Sequence, residues 1–223
     1  MIVSVIFSLL SSTVSQQKRT VVVGIAAVEE VLPEFMAFSL SGGAIGIALD
    51  RMQAEGISQG FDFRFIVNYT ECSAQRAVGV ALQFMVEENV DVIIAPPCPA
   101  PAELMGHLST YYKKTLLGWG FLTDSRFSNE EDFPYLTKVV PDSLQMMYGV
   151  LQVFELFDWN RIAIYYTPDE VNYCNGIIDD AMVRLSLRLV EIGVLPLHLH
   201  PDSVCCFDIR RERRADCGMG FPG

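Results

Sequence analysis

From Thr20 onward the chain alternates short apolar runs with helical patterns, and that alternation limits the folds open to it. TVVVGIAA (20–27) is a β-branched run with no polar face, as in a strand buried on both sides. Further strand-like runs follow at 61–70 (FDFRFIVNYT), 90–96 (VDVIIAP), 115–122 (TLLGWGFL), 135–140 (YLTKVV), 161–168 (RIAIYYTP) and 190–199. Between them lie helical stretches. The expected inward faces are Ile45, Ala48, Leu49 and Met52; then Val78, Ala81, Leu82 and Met85; then Leu104, Leu108 and Tyr111; then Met147, Leu151 and Phe154. In the last helix Ile177, Ile178, Ala181, Leu185 and Arg188 fall near one another. Repeated βα units with right-handed crossovers predict an α/β chain built on doubly wound parallel sheets. In such sheets ligands sit beyond the carboxyl ends of the strands. That marks Val28, Thr70, Glu71, Pro97, Gly118, Trp119 and Phe121 as cleft candidates.

The two ends of the chain differ from this pattern. MIVSVIFSLL (1–10) followed by SSTVSQQ resembles a secretory signal peptide, taken here as residues 1–15. It is too short to span a bilayer. After His200 neither period persists, and 201–223, with RRERR inside it, is expected to be disordered or foreign to the fold. The net charge of −11 argues against nucleic acid as a partner. A secreted chain also gives weight to the sequon NYT, which makes Asn68 a glycosylation candidate.

No catalytic motif is present: neither a G-x-S-x-G elbow, nor a phosphate-binding G-x-x-x-x-G-K-[ST] loop, nor H-E-x-x-H. The glycines of SGGAIG (41–46) read as close helix packing. No cofactor and no metal are expected. His198 and His200 form an H-x-H pair without further ligands at matching spacing. The adjacent acids Glu29-Glu30, Glu130-Glu131 and Asp179-Asp180 read as solvated surface.

The cysteines say more. Cys72 follows the second strand and Cys98 the third, so parallel strands deliver both to one sheet edge, within reach of a disulfide. The alternative is a nucleophilic Cys98 in a secreted α/β enzyme, which would need a basic partner beside it.

NVDVIIAPPC, LLGWGF and YLTKVVPDSLQMMYGVLQVFELFDWNRIAIYYTPDEVNYC together resemble the extracellular ligand-binding region of receptor-type guanylate cyclases, nematode-like relatives of the natriuretic peptide receptors. The resemblance covers about residues 20–200. It implies a two-lobed fold of the type I periplasmic-binding-protein kind, with a first lobe over 16–140 and a partial second lobe over 141–200. It also implies an extracellular ligand, small molecule or peptide, and a homo- or heterodimer with related receptors. The full-length receptor would sit in the plasma membrane, and a secreted decoy is a variant of the same reading. The cyclase domain of such receptors has no counterpart in these residues, so no enzyme activity is expected. The family's disulfide between the loops after strands two and three matches Cys72 and Cys98. Cys174 matches a second-lobe cysteine whose partner lies further on, and it is expected to be unpaired here. Natriuretic receptors hold a chloride through backbone N–H groups near the position of Cys98. Pro97 has no N–H to give, so that site is not carried over.

Overall fold

The computed structural model describes residues 18–159, 161–166, 173–186, 191–196 and 208–211. The expected signal peptide (1–15), the His198/His200 pair and Cys205, Cys206 and Cys217 lie outside them.

Five parallel strands form the first sheet: β1 (Arg19–Ala27), β2 (Phe61–Tyr69), β3 (Val92–Ile94), β4 (Thr115–Gly118) and β5 (Leu136–Lys138), in the order β2-β1-β3-β4-β5. β1 lies inside the sheet and pairs along its full length with β2, from Arg19 opposite Phe61 to Ala27 opposite Tyr69. Its other side takes β3, with Val23 opposite Val92. Strand alternation splits the β1 side chains between two cores. Val22 and Ala26 join the cluster under helices α4 (Ala74–Leu82) and α5 (Pro99–Tyr112), with Ala77, Ala81, Phe84, Ala102 and Met105. Val21, Val23, Ile25 and Ala27 face the other way, toward Phe38 of α2 (Phe38–Ser41), which follows the short α1 (Pro33–Met36), and Ile45 of α3 (Gly43–Ala54). Gly24 is required by packing, because a Cβ there would lie 2.8 Å from the Phe84 ring.

The second sheet has the order β7-β6-β8. β6 (Arg161–Tyr166) and β7 (Glu191–Pro196) are parallel. β8 (Asp208–Arg211) runs antiparallel to β6, with Ile164 opposite Ile209. Residues 208–211 were expected to lack structure; their alternation of one apolar residue among charges is too short to read as a strand, and pairing with β6 supplies what local pattern does not. Helices α6 (Ser143–Leu156) and α7 (Tyr173–Leu185) pack on β6 through Met147, Leu151, Phe154, Ile177, Ile178, Ala181 and Leu185, with Ile162 and Ile164 beneath. The apolar residues expected inward on the two helices are buried there.

The earlier helices differ. α3 contributes no buried residue: Ile45, Leu49 and Met52 are half-buried and Ala48 is exposed. In α4 the inward residues are Ala77 and Ala81, while Val78 and Leu82 are exposed. A π-helical turn over Gln83–Glu87 then rotates Phe84 and Met85 into the core. In α5 Ala102, Met105 and Ser109 are buried, while Leu104 and Tyr111 face solvent. Gly43 and Gly46 have open space where a Cβ would be, so they do not mark close helix packing.

Candidate functional site

All five strands of the first sheet point their carboxyl ends at one edge, and the loops there form a corner. Thr70, fully buried, donates through its N–H and its hydroxyl to the Ala27 carbonyl, at 2.9 and 3.2 Å, tying the end of β2 to the end of β1. Glu71 and Cys72 follow with φ of 48° and 54°, left-handed conformations that cost a non-glycine residue roughly 1–3 kcal/mol. The turn they make brings Cys72 to Cys98. The two are joined in a disulfide, with Cα atoms 5.4 Å apart. Cys98 sits just before α5 with Pro99 in the first helical position, where a missing N–H costs nothing.

The same turn aims the Glu71 carboxylate at the end of β1. It accepts from the Glu29 N–H at 3.0 and 3.2 Å and from the Glu30 N–H at 2.9 Å. The Glu29 carboxylate in turn accepts from the Ser39 N–H in the first turn of α2, and hydrogen bonds from Ser39, its hydroxyl first and then its N–H, hold it below the usual carboxylate range.

The loops after β3 and β4 lock together. The Trp119 indole N–H donates to the Ala95 carbonyl at 2.6 Å, and the Phe121 N–H donates to the Pro97 carbonyl at 2.9 Å. Between them Gly120 has φ +69°, with the Pro97 Cβ 2.5 Å from where its own Cβ would be. Phe121 then meets Tyr173 at the start of α7, ring centroids 4.7 Å apart. Val28, Met36 and Cys98 form the buried floor beneath this contact.

The corner therefore gathers every cleft candidate, at different depths. Val28, Thr70, Pro97 and Gly118 are buried and form the floor; Glu71, Trp119 and Phe121 are half-buried. Cys98 is 1% exposed and disulfide-bonded, so it is no nucleophile and the reading as a cysteine enzyme falls. Cys174 is itself disulfide-bonded, with a partner outside the described residues, which corrects the expectation of an unpaired thiol. Asn68, half-buried, donates its amide to Gln83 at 2.9 Å, so a glycan there would have to displace that bond. Among the described residues no group of three or more His, Cys, Asp or Glu could hold a metal ion, and no helix is long and apolar enough to cross a membrane.

One residue that the sequence reading left on the surface lies inside. Asp180 is 6% exposed, whereas its neighbour Asp179 faces solvent. The signal was available: Tyr173, Gly176 and Asp180 stand at i, i+3 and i+7, one stripe of a helix.

Residues 40–196 match the family model for the receptor family ligand binding region. The chain belongs to that family. It is 44% identical over 169 residues to receptor-type guanylate cyclase gcy-4 of Caenorhabditis briggsae, which covers 76% of this chain and 15% of the relative. It is 40% identical over 163 residues to receptor-type guanylate cyclase gcy-1 of Caenorhabditis elegans, covering 73% and 14%. The chain thus spans about one seventh of the length of these relatives. Among solved structures it resembles a solute-binding protein of an ABC transporter from Rhodopseudomonas palustris in complex with 3,4-dihydroxybenzoic acid. The TM-score is 0.59 at 16% identity, covering 80% of this chain and 48% of that one. A possible leucine/isoleucine/valine-binding protein from Rhodopirellula baltica gives 0.57 at 11% identity, covering 82% and 50%. These likenesses establish the type I periplasmic-binding-protein fold.

Proposed function

We propose that this chain is sensory: part of the extracellular ligand-binding region of a receptor-type guanylate cyclase, taking its ligand at the strand-end corner. The contact that carries the reading is Phe121 against Tyr173. It brings the start of α7 against the loop after β4, at the carboxyl ends of the first sheet, where ligands bind in open α/β sheets. Residues 16–140 act as one wall of the crevice and 141–200 as part of the other. The Cys72–Cys98 disulfide keeps the two loops between the walls from moving independently. The ligand is a small molecule or peptide from the extracellular space, and binding changes how the walls meet.

The test is a thermal-shift screen of the 223-residue chain, secreted from eukaryotic cells, against amino acids, amines, aromatic acids and short peptides. A compound that raises the melting temperature of the parent and not of Phe121→Asp supports the corner as the site. Hits that shift both chains equally place binding elsewhere and overturn the assignment.

A further inference from the structure

We propose that Asp180 is a positioning residue that latches α7 to the loop after β4 and so sets how closely the second-sheet half sits over the corner. This deepens the reading of the corner as a ligand site and rests on it.

The stripe of α7 that faces the first-sheet half has three contact points. Tyr173 meets Phe121. Gly176 meets Asp124 so closely that a Cβ would lie 2.4 Å from the carboxylate Oδ2. Asp180 accepts from the Ser125 N–H at 2.9 Å and from the Ser125 hydroxyl at 2.5 Å; within its own half it also accepts from the Ser143 hydroxyl of α6. Aromatic contact, close approach and polar anchor thus succeed one another over two helical turns.

Loop 123–125 is held from two more sides. The Ser143 N–H, at the start of α6, donates to the Thr123 carbonyl at 2.8 Å. Lys138, at the end of β5, donates to the Asp124 carbonyl at 3.1 Å and to the Asp142 carboxylate at 3.0 Å. The loop is therefore the place where β5, α6 and α7 converge, and the chain crosses from one sheet to the other beside it.

The chemistry of the anchor suits a latch better than a weld. Asp180 is buried, and among the described residues no cation pairs with it; three serine donors compensate its charge. A buried carboxylate left without donors is strongly unfavourable, while one returned to water regains its hydration. Withdrawing α7 from the loop breaks both Ser125 bonds together, so the contact favours two states, seated or released.

The experiment uses the 223-residue chain without ligand, so its outcome does not depend on any ligand being found. Hydrogen exchange is followed at residues 123–128 and 143–150, with β1 and β3 as internal references, and the radius of gyration is measured by X-ray scattering. Asp180→Ala removes all three acceptor contacts. Gly176→Ala leaves every hydrogen-bonding group in place and sets a methyl against the Asp124 side chain, which must swing aside or push α7 back. Both are expected to speed exchange at Ser125 about tenfold, the loss of roughly one hydrogen bond's worth of protection. Both should enlarge the radius of gyration while β1 and β3 stay protected. Asp180→Asn keeps an acceptor for the Ser125 N–H and a side-chain amide for the hydroxyls, and is expected to retain the parent's exchange. Parental exchange at Ser125 in both Asp180→Ala and Gly176→Ala would overturn the latch. So would exchange accelerated equally through β1 and β3, which would mark Asp180 as a general stability residue. A failed ligand screen with an intact latch would instead count against the sensory reading alone.

Discussion

Gly120 is where the loops after β3 and β4 touch, and two independent constraints meet there: a left-handed backbone and a Pro97 side chain in the space of a Cβ. Gly120→Ala is expected to cost at least about 1–3 kcal/mol, since strain and overpacking add. Urea unfolding of the two chains measures it, and a midpoint unchanged from the parent would contradict the geometry. Two carboxylates nearby titrate in opposite senses. Burial, the largest influence on Asp124, raises it above its usual range against the Arg126 N–H and charge, with Asp180 adding repulsion. Burial also acts upward on Asp142, but hydrogen bonds from Ser128 and Lys138 and the Lys138 charge outweigh it and leave Asp142 lowered. Asp142 therefore contributes stability above its unfolded-state pKa, and that contribution is lost as pH falls through its lower folded value. Asp124 does the reverse: its contribution is present when protonated and is lost as pH rises through its raised folded value. Asp124→Asn, which keeps an acceptor for the Arg126 N–H, should gain on the parent as pH rises from about 4 to about 7. A gain that shrinks over that range in pH-dependent urea midpoints would show the sign to be wrong.

The apolar faces of helices α6 and α7 were legible because large aliphatic and aromatic side chains carry their burial, whereas the buried Asp180 among them was not. In α4 and α5 the inward positions include Ala77, Ala81, Ala102 and Ser109, small residues that let a helix approach the sheet, while bulkier Val78, Leu82 and Leu104 stand on the flanks. A periodicity weighted by size lands one position off in such helices, and the π turn at Gln83–Glu87 shifts the phase again. The strand-end corner was legible in outline, since parallel topology alone brings Cys72 to Cys98. The Glu71 carboxylate on two backbone N–H groups was not, because its acceptor role depends on a left-handed turn and on main-chain partners that leave no side-chain motif. The burial pattern makes a paired prediction. Ala81→Val, at a fully buried position, is expected to destabilise by about 1–3 kcal/mol. Ile47→Glu on α3, where the side chain is 73% exposed, should change stability by no more than about 0.5 kcal/mol. Equal losses in chemical denaturation would mean that α3 is covered in solution.

Across the whole molecule, the Cys72–Cys98 disulfide closes a loop with a sequence separation of 26 that contains all of α4, the π-helical turn and β3. Removing it with the Cys72→Ser, Cys98→Ser pair should cost about 3.5 kcal/mol on the chain-entropy estimate. Guanidinium unfolding of the paired variant against the oxidised parent checks this; a loss under about 1 kcal/mol would mean the corner is held by Thr70, Glu71 and Gly120 without the covalent tie. The order of the second sheet has a consequence for synthesis. β6 lies in the middle of that sheet, β7 follows it closely, and β8, its other neighbour, comes roughly 40 residues after β6 ends. At about 5–20 residues per second, a ribosome leaves β6 with one flank unpaired for some 2–8 s. During that interval the nascent chain displays an open strand edge of isoleucines and tyrosines, which makes the moment before residue 208 emerges the one at which it most needs a chaperone.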